Sequence, residues 1–111
     1  MFEMTKRGAV NVLSGNQPLT TAHFKEVTDL CDECIENGQP RLVFDLSGVP
    51  LMDSVGLELL LDLRDSCQKR GGAMQICSPN PLCRDILVAT GLTSQFAVFD
   101  DQAAAVGSYS R

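Results

Sequence analysis

Residues 41–57 read RLVFDLSGVPLMDSVGL, and the fold follows from this stretch. Leu42, Val43, Phe44 and Leu46 form an apolar run broken only by Asp45. A near-continuous run of this kind suits a strand covered on both faces, because a half-exposed strand would alternate. Ser47, Gly48 and Pro50 then make residues 47–53 a loop. From Ser54 the apolar residues recur at three-and-four spacing as far as Lys69, where Gly71-Gly72 stops the pattern. A doubly covered strand leading through a short loop into an amphipathic helix is a unit of α/β architecture.

The flanking sequence repeats that unit. Before it, residues 2–5 alternate apolar and polar, Lys6-Arg7-Gly8 predicts a turn, and residues 9–13 predict the return strand. Residues 15–21 read as a loop, with Pro18 unable to donate to a ladder and Thr20 or Thr21 available as a helix cap. A helix is expected over residues 22–36, its stripe made by Phe24, Val27, Leu30, Cys31, Cys34 and Ile35, its end by Asn37-Gly38. After it, residues 73–77 predict a strand, and Pro79-Asn80-Pro81 opens a helix from Leu82 to about Thr90 that Gly91 ends. Residues 96–99 predict a short strand, and Asp100 or Asp101 caps an Ala-rich helix fading into residues 107–111. Alternating strands and helices require crossover connections and a central sheet, hence an α/β fold in one domain over residues 1–111.

Composition narrows the function. A net charge of -5, with basic residues only in ones and twos, disfavours nucleic acid as a direct partner. No apolar run is long enough to insert in a bilayer, and Met1 to Gly8 does not read as a signal peptide, so a cytoplasmic protein is expected. Five cysteines, an odd number, fit a reducing compartment better than a disulfide framework.

No complete catalytic set is present. Cys31-Asp32-Glu33-Cys34 is a CxxC placed within a helix rather than at its N-terminus, and no second pair follows to complete a zinc site. Both thiols share the core stripe and are expected buried, reduced and metal-free. His23, the lone histidine, has no carboxylate evidently placed to orient it. GxSxG, the phosphate-cradling loop and HExxH are absent. No catalytic residue, metal ligand or cofactor is therefore assigned, and the protein is not expected to be an enzyme.

Met52-Asp53-Ser54-Val55-Gly56-Leu57 remains. Asp53 or Ser54 can cap the following helix, and Gly56 permits close approach of another backbone or of a partner. A serine at this junction lies where open α/β sheets place function, and a phosphate there would meet helix N–H groups and a favourable dipole. At 100° per residue, Val55, Gly56, Leu59, Leu60, Leu63 and Cys67 face the sheet, while Glu58, Asp62, Asp65 and Lys69 face solvent. Leu57 and Leu61 fall on a flank with Arg64 and Gln68 beside them, either packed under a neighbouring helix or forming a partner patch.

Residues 42–56, LVFDLSGVPLMDSVG, resemble the signature of STAS domains, and the likeness continues through Gly71-Gly72-Ala73-Met74, LVATGL at 87–92 and Phe96. It spans residues 9–106, leaving a short tail at 107–111. The resemblance implies a mixed central sheet flanked by helices. It also implies the role of a bacterial anti-sigma factor antagonist, whose unphosphorylated form sequesters an anti-sigma factor that is also a serine kinase. The kinase's target corresponds to Ser54, a cognate phosphatase resets it, and Asp53, Val55, Gly56, Leu57, Leu61 and Arg64 form the implied partner surface. Two features depart from the family pattern. Val55 follows the serine where Ser, Thr or Ala is common, and the Gly-x-Leu-Asp after the early strand is replaced by Gly15-Asn16-Gln17-Pro18-Leu19 without the acid. Alternative expectations are an accessory STAS subunit of a transport or signalling complex, in which Ser54 merely caps, and a nucleotide-binding STAS domain.

Overall fold

A computed structural model describes residues 1–36 and 38–109. Strand β1 (Phe2–Arg7) turns at Gly8-Ala9 into β2 (Val10–Gly15), and a 3-10 turn leads into helix α1 (Phe24–Ile35). Then follow β3 (Arg41–Asp45), α2 (Ser54–Lys69), β4 (Ala73–Cys77), α3 (Pro81–Ala89), β5 (Val98–Phe99) and α4 (Gln102–Ser108). The strands form one sheet in the order β1-β2-β3-β4-β5, antiparallel between β1 and β2 and parallel elsewhere. The central strand β3 therefore takes up all but Leu46 of the 41–46 segment, as its two-sided apolar run requires. Leu42 and Phe44 join the large core under α1, α2 and α3, whereas Val43 joins a smaller one with Val10, Val12, Cys77 and Ala105 of α4.

Several local expectations are corrected. The hairpin turns one residue later than predicted because Gly8 supplies the positive φ (63°) needed at the first central position of a two-residue loop. Thr20 precedes the 3-10 turn without a side-chain cap bond. Phe24 is 39% exposed and Leu30 and Cys34 are only half-buried, although Val27, Cys31 and Ile35 on the same stripe are buried. The last strand shrinks to Val98–Phe99, and Phe96 is buried outside it. Asn37, expected to help end α1, and residues 110–111 of the expected tail lie outside the described residues.

The chain after β5 is more ordered than its composition suggests. Asp101 caps α4 by accepting from the Ala104 N–H at 2.7 Å, and the helix runs through Gly107 and Ser108. Tyr109 then donates its hydroxyl towards the carbonyls of Leu42 (2.9 Å) and Ala73 (3.0 Å), joining α4 to β3 and β4. Burial holds this phenol well above its ordinary pKa, so it stays a donor across the neutral range. Tyr109→Phe should cost about 1 kcal/mol, the net worth of one such bond. Urea unfolding followed by circular dichroism measures this; an unchanged midpoint would show that the hydroxyl does not hold α4 down.

Candidate functional site

The loop between β3 and α2 is fixed from three directions. Asp45, buried at the end of β3, accepts from the Ser47 N–H at 2.9 Å and from Gln102 Nε2 at 2.8 Å. Asn80 caps α3 through the Cys83 N–H at 2.7 Å while its Nδ2 donates to the carbonyls of Val49 (3.1 Å) and Pro50 (3.3 Å). From the third side, Leu19 bridges Met52 in parallel. The Leu19 N–H donates to the Leu51 carbonyl at 3.0 Å, and the Leu19 carbonyl accepts from the Asp53 N–H at 3.3 Å.

Within this frame Asp53 is the cap. Its backbone is extended, and its carboxylate accepts from the Gly56 N–H at 3.0 Å. Ser54 is consequently the first helical residue, exposed, with no hydrogen bond to its hydroxyl among the described residues. Gly56 is buried, and the backbone it admits is that of Leu19. Gly56 therefore shapes the turn from within and has little surface of its own.

Val55, Leu57, Leu61 and Arg64 are all half-buried. Leu57 and Leu61 pack against the margin of the large core, so neither the buried nor the fully exposed extreme applies. The Arg64 guanidinium lies over the Phe96 ring, 5.8 Å from its centroid, and 3.6 Å from Asp65. Leu51 and Leu82 are exposed on segments tied together by Asn80, a feature sequence reasoning missed. The Asn-Pro pair signalled a helix start, but its second bond to a loop 31 residues away left no local pattern.

The other candidates stand apart from this turn. His23 does have an acidic neighbour: Glu26 lies 3.4 Å from its Nδ1, one helical turn on. That carboxylate also accepts from the Phe2 N–H at 2.9 Å, which keeps it below the usual carboxylate range and uses it structurally. Cys31 is buried and Cys34 half-buried; burial pushes both thiols up, away from nucleophilic thiolate character. No group of three or more His, Cys, Asp or Glu able to hold a metal occurs among the described residues.

Fold and site together define a small α/β domain carrying an uncommitted serine on a rigid, aspartate-capped turn at the C-terminal rim of its sheet. The family model of the STAS domain matches residues 1–105, and the chain belongs to that family. It is 31% identical over 72 residues to the anti-sigma F factor antagonist of Paenibacillus polymyxa, covering 64% of this chain and 62% of that relative. A candidate anti-sigma factor antagonist from Thermotoga maritima superposes with a TM-score of 0.92 at 23% identity, covering 99% of this chain and 95% of that one. The Bacillus anti-sigma factor antagonist SpoIIAA in its unphosphorylated form gives 0.81 at 17% identity over 96% and 93%. The murine anion transporter Slc26a9 gives 0.77 at 19% identity, over 92% of this chain but 18% of the transporter. These structural likenesses show the fold alone.

Proposed function

We propose that this chain is an anti-sigma factor antagonist: a cytoplasmic, non-enzymatic binding protein whose partner is an anti-sigma factor with serine kinase activity. In the free-hydroxyl state of Ser54 it holds that partner; after phosphorylation it lets go, and a phosphatase restores the hydroxyl. One observation carries the reading. Asp53 does the capping, so the exposed Ser54 hydroxyl has no structural duty and is open to a kinase. The Paenibacillus polymyxa relative supports the general role. No helix among the described residues is long and apolar enough to cross a membrane.

The contact surface is the flank beside Ser54, with Asp53, Val55, Leu57, Leu61 and Arg64. Leu61→Asp should weaken partner binding at least about tenfold, or about 1.4 kcal/mol. Its half-buried side chain should cost the fold only about 1 kcal/mol. Calorimetric titration with circular dichroism as control reads both; an unfolded variant would place Leu61 in the core. Mass spectrometry of the protein from its native cells should find phosphate on Ser54. Phosphate elsewhere or nowhere, with Leu61→Asp binding as wild type, would favour an accessory STAS role instead.

A further inference from the structure

We infer that β1 is a self-complementary edge through which two copies of this chain pair antiparallel into one continuous sheet. β1 is the outer strand beside β2, and its residues Glu3, Thr5, Lys6 and Arg7 are exposed. Its backbone directions follow from the hairpin. The two-residue turn at Gly8-Ala9 makes Arg7 and Val10 a hydrogen-bonded pair, and such pairs alternate along an antiparallel ladder. Arg7, Thr5 and Glu3 therefore bond inward to β2, while Lys6, Met4 and Phe2 turn their N–H and C=O groups outward. The Phe2 N–H agrees, since it leaves the sheet to reach Glu26. The outward backbone groups of Met4 and Lys6 have no hydrogen-bond partner among the described residues. An unpaired edge of this kind is a template for another strand.

Register and charge select the occupant. Because Phe2 is already engaged, the pairing that uses both free residues sets Met4 against the partner's Lys6 and Lys6 against the partner's Met4. Thr5 then faces its own copy across the two-fold axis, and Glu3 falls directly opposite the partner's Arg7. Opposed residues lie on one face of a sheet, and Glu3, Thr5 and Arg7 already share the face that looks away from α1, opposite Ser14, Val12 and Val10. The two-fold axis makes each Glu3–Arg7 pair occur twice, an isologous contact. Arg7 presently donates one guanidinium N–H to Gln102 at 2.6 Å, leaving donors for a carboxylate, and Glu3 has no ion pair among the described residues. A register shifted by two residues either way opposes Thr5 to Glu3 or to Arg7 and loses this complementarity.

A single strand edge buries little surface, and each chain carries a charge of -5, so the association is weak and reversible. β1 runs antiparallel to its copy, so the two Ser54 rims point in opposite directions and both stay open to partners.

Sedimentation of the full chain up to about 1 mM, a range that reads weak association, should show a monomer–dimer equilibrium. Glu3→Arg should weaken it at least about tenfold, and Arg7→Glu likewise. The double variant Glu3→Arg/Arg7→Glu should return to within about threefold of wild type, with circular dichroism unchanged throughout. Amide exchange at Met4 and Lys6 should slow with rising concentration while that of Thr5 does not change. A monomer at every concentration, a dimer indifferent to the single substitutions, or a double variant that fails to recover would overturn the proposal.

Discussion

Gly56→Ala is expected to destabilise this protein by about 1–3 kcal/mol, the usual cost of overpacking a site that cannot give way. In an exposed helix the same change would gain up to about 1 kcal/mol from propensity, so the sign depends on what the added methyl meets. At Gly56 it would drive into the Leu19 carbonyl oxygen and stand 3.0 Å from the carbonyl carbon. That is backbone, and it is fixed: the same residue bonds to Leu51 and Asp53. Relief would require the Leu19 bridge to open, and the turn carrying Asp53 and Ser54 would loosen with it. Gly107, in α4, supplies the control, since a methyl there meets nothing within 4 Å. Gly107→Ala should therefore stabilise, by up to about 1 kcal/mol. Urea titration of both variants tests the pair, and equal shifts in one direction would show that the Leu19 contact does not set the cost.

Legibility of the fold tracked the range of the interactions behind it. β3 and α2 were readable because their signals are local: a doubly buried strand and a capped amphipathic helix. Sequence alone does not choose between Asp53 and Ser54 as the cap, since both residue types accept N–H bonds; the Asp53–Gly56 bond resolves it. The Leu19–Met52 bridge was invisible because Pro18 suggested only a loop. Tyr109, anchored to a carbonyl 67 residues earlier, lay in a stretch that composition alone made a fading tail. Of the candidate site, the helix that starts at Ser54 was legible, and so was the flank position of Leu57 and Leu61. The burial of Gly56 beneath Leu19, and the tie from Asn80 to the 49–50 loop, needed the third dimension.

Under the proposed switch, Ser54→Asp should bind the kinase partner at least about tenfold more weakly than wild type, a difference of about 1.4 kcal/mol, while Ser54→Ala binds normally and cannot be phosphorylated. Neither change should disturb the fold. Asp53 holds the cap, so Ser54→Ala removes only an exposed hydroxyl and should stay within about 0.5 kcal/mol of wild type. A carboxylate at position 54 gains about 0.3–1 kcal/mol from the helix dipole and loses some of that to Asp53 beside it. Any loss of affinity then arises at the surface, where the new charge must be desolvated against a flank containing Leu57 and Leu61 and lie next to an existing negative charge. Phosphoserine carries about 1.5–2 charges near neutral pH, so authentic phosphorylation should weaken binding further than Asp does. Its second pKa is about 6, so lowering the pH through that value protonates the phosphate and should recover part of the lost affinity. The Ser54→Asp variant, ionised throughout that range, should show no such recovery. Calorimetric titration of the wild-type, Ala, Asp and phosphorylated proteins between about pH 5.5 and 7.5, chosen to bracket that pKa, reads all of these differences. Equal affinities for wild type and Ser54→Asp, with no phosphate on Ser54, would leave the serine without a switching role.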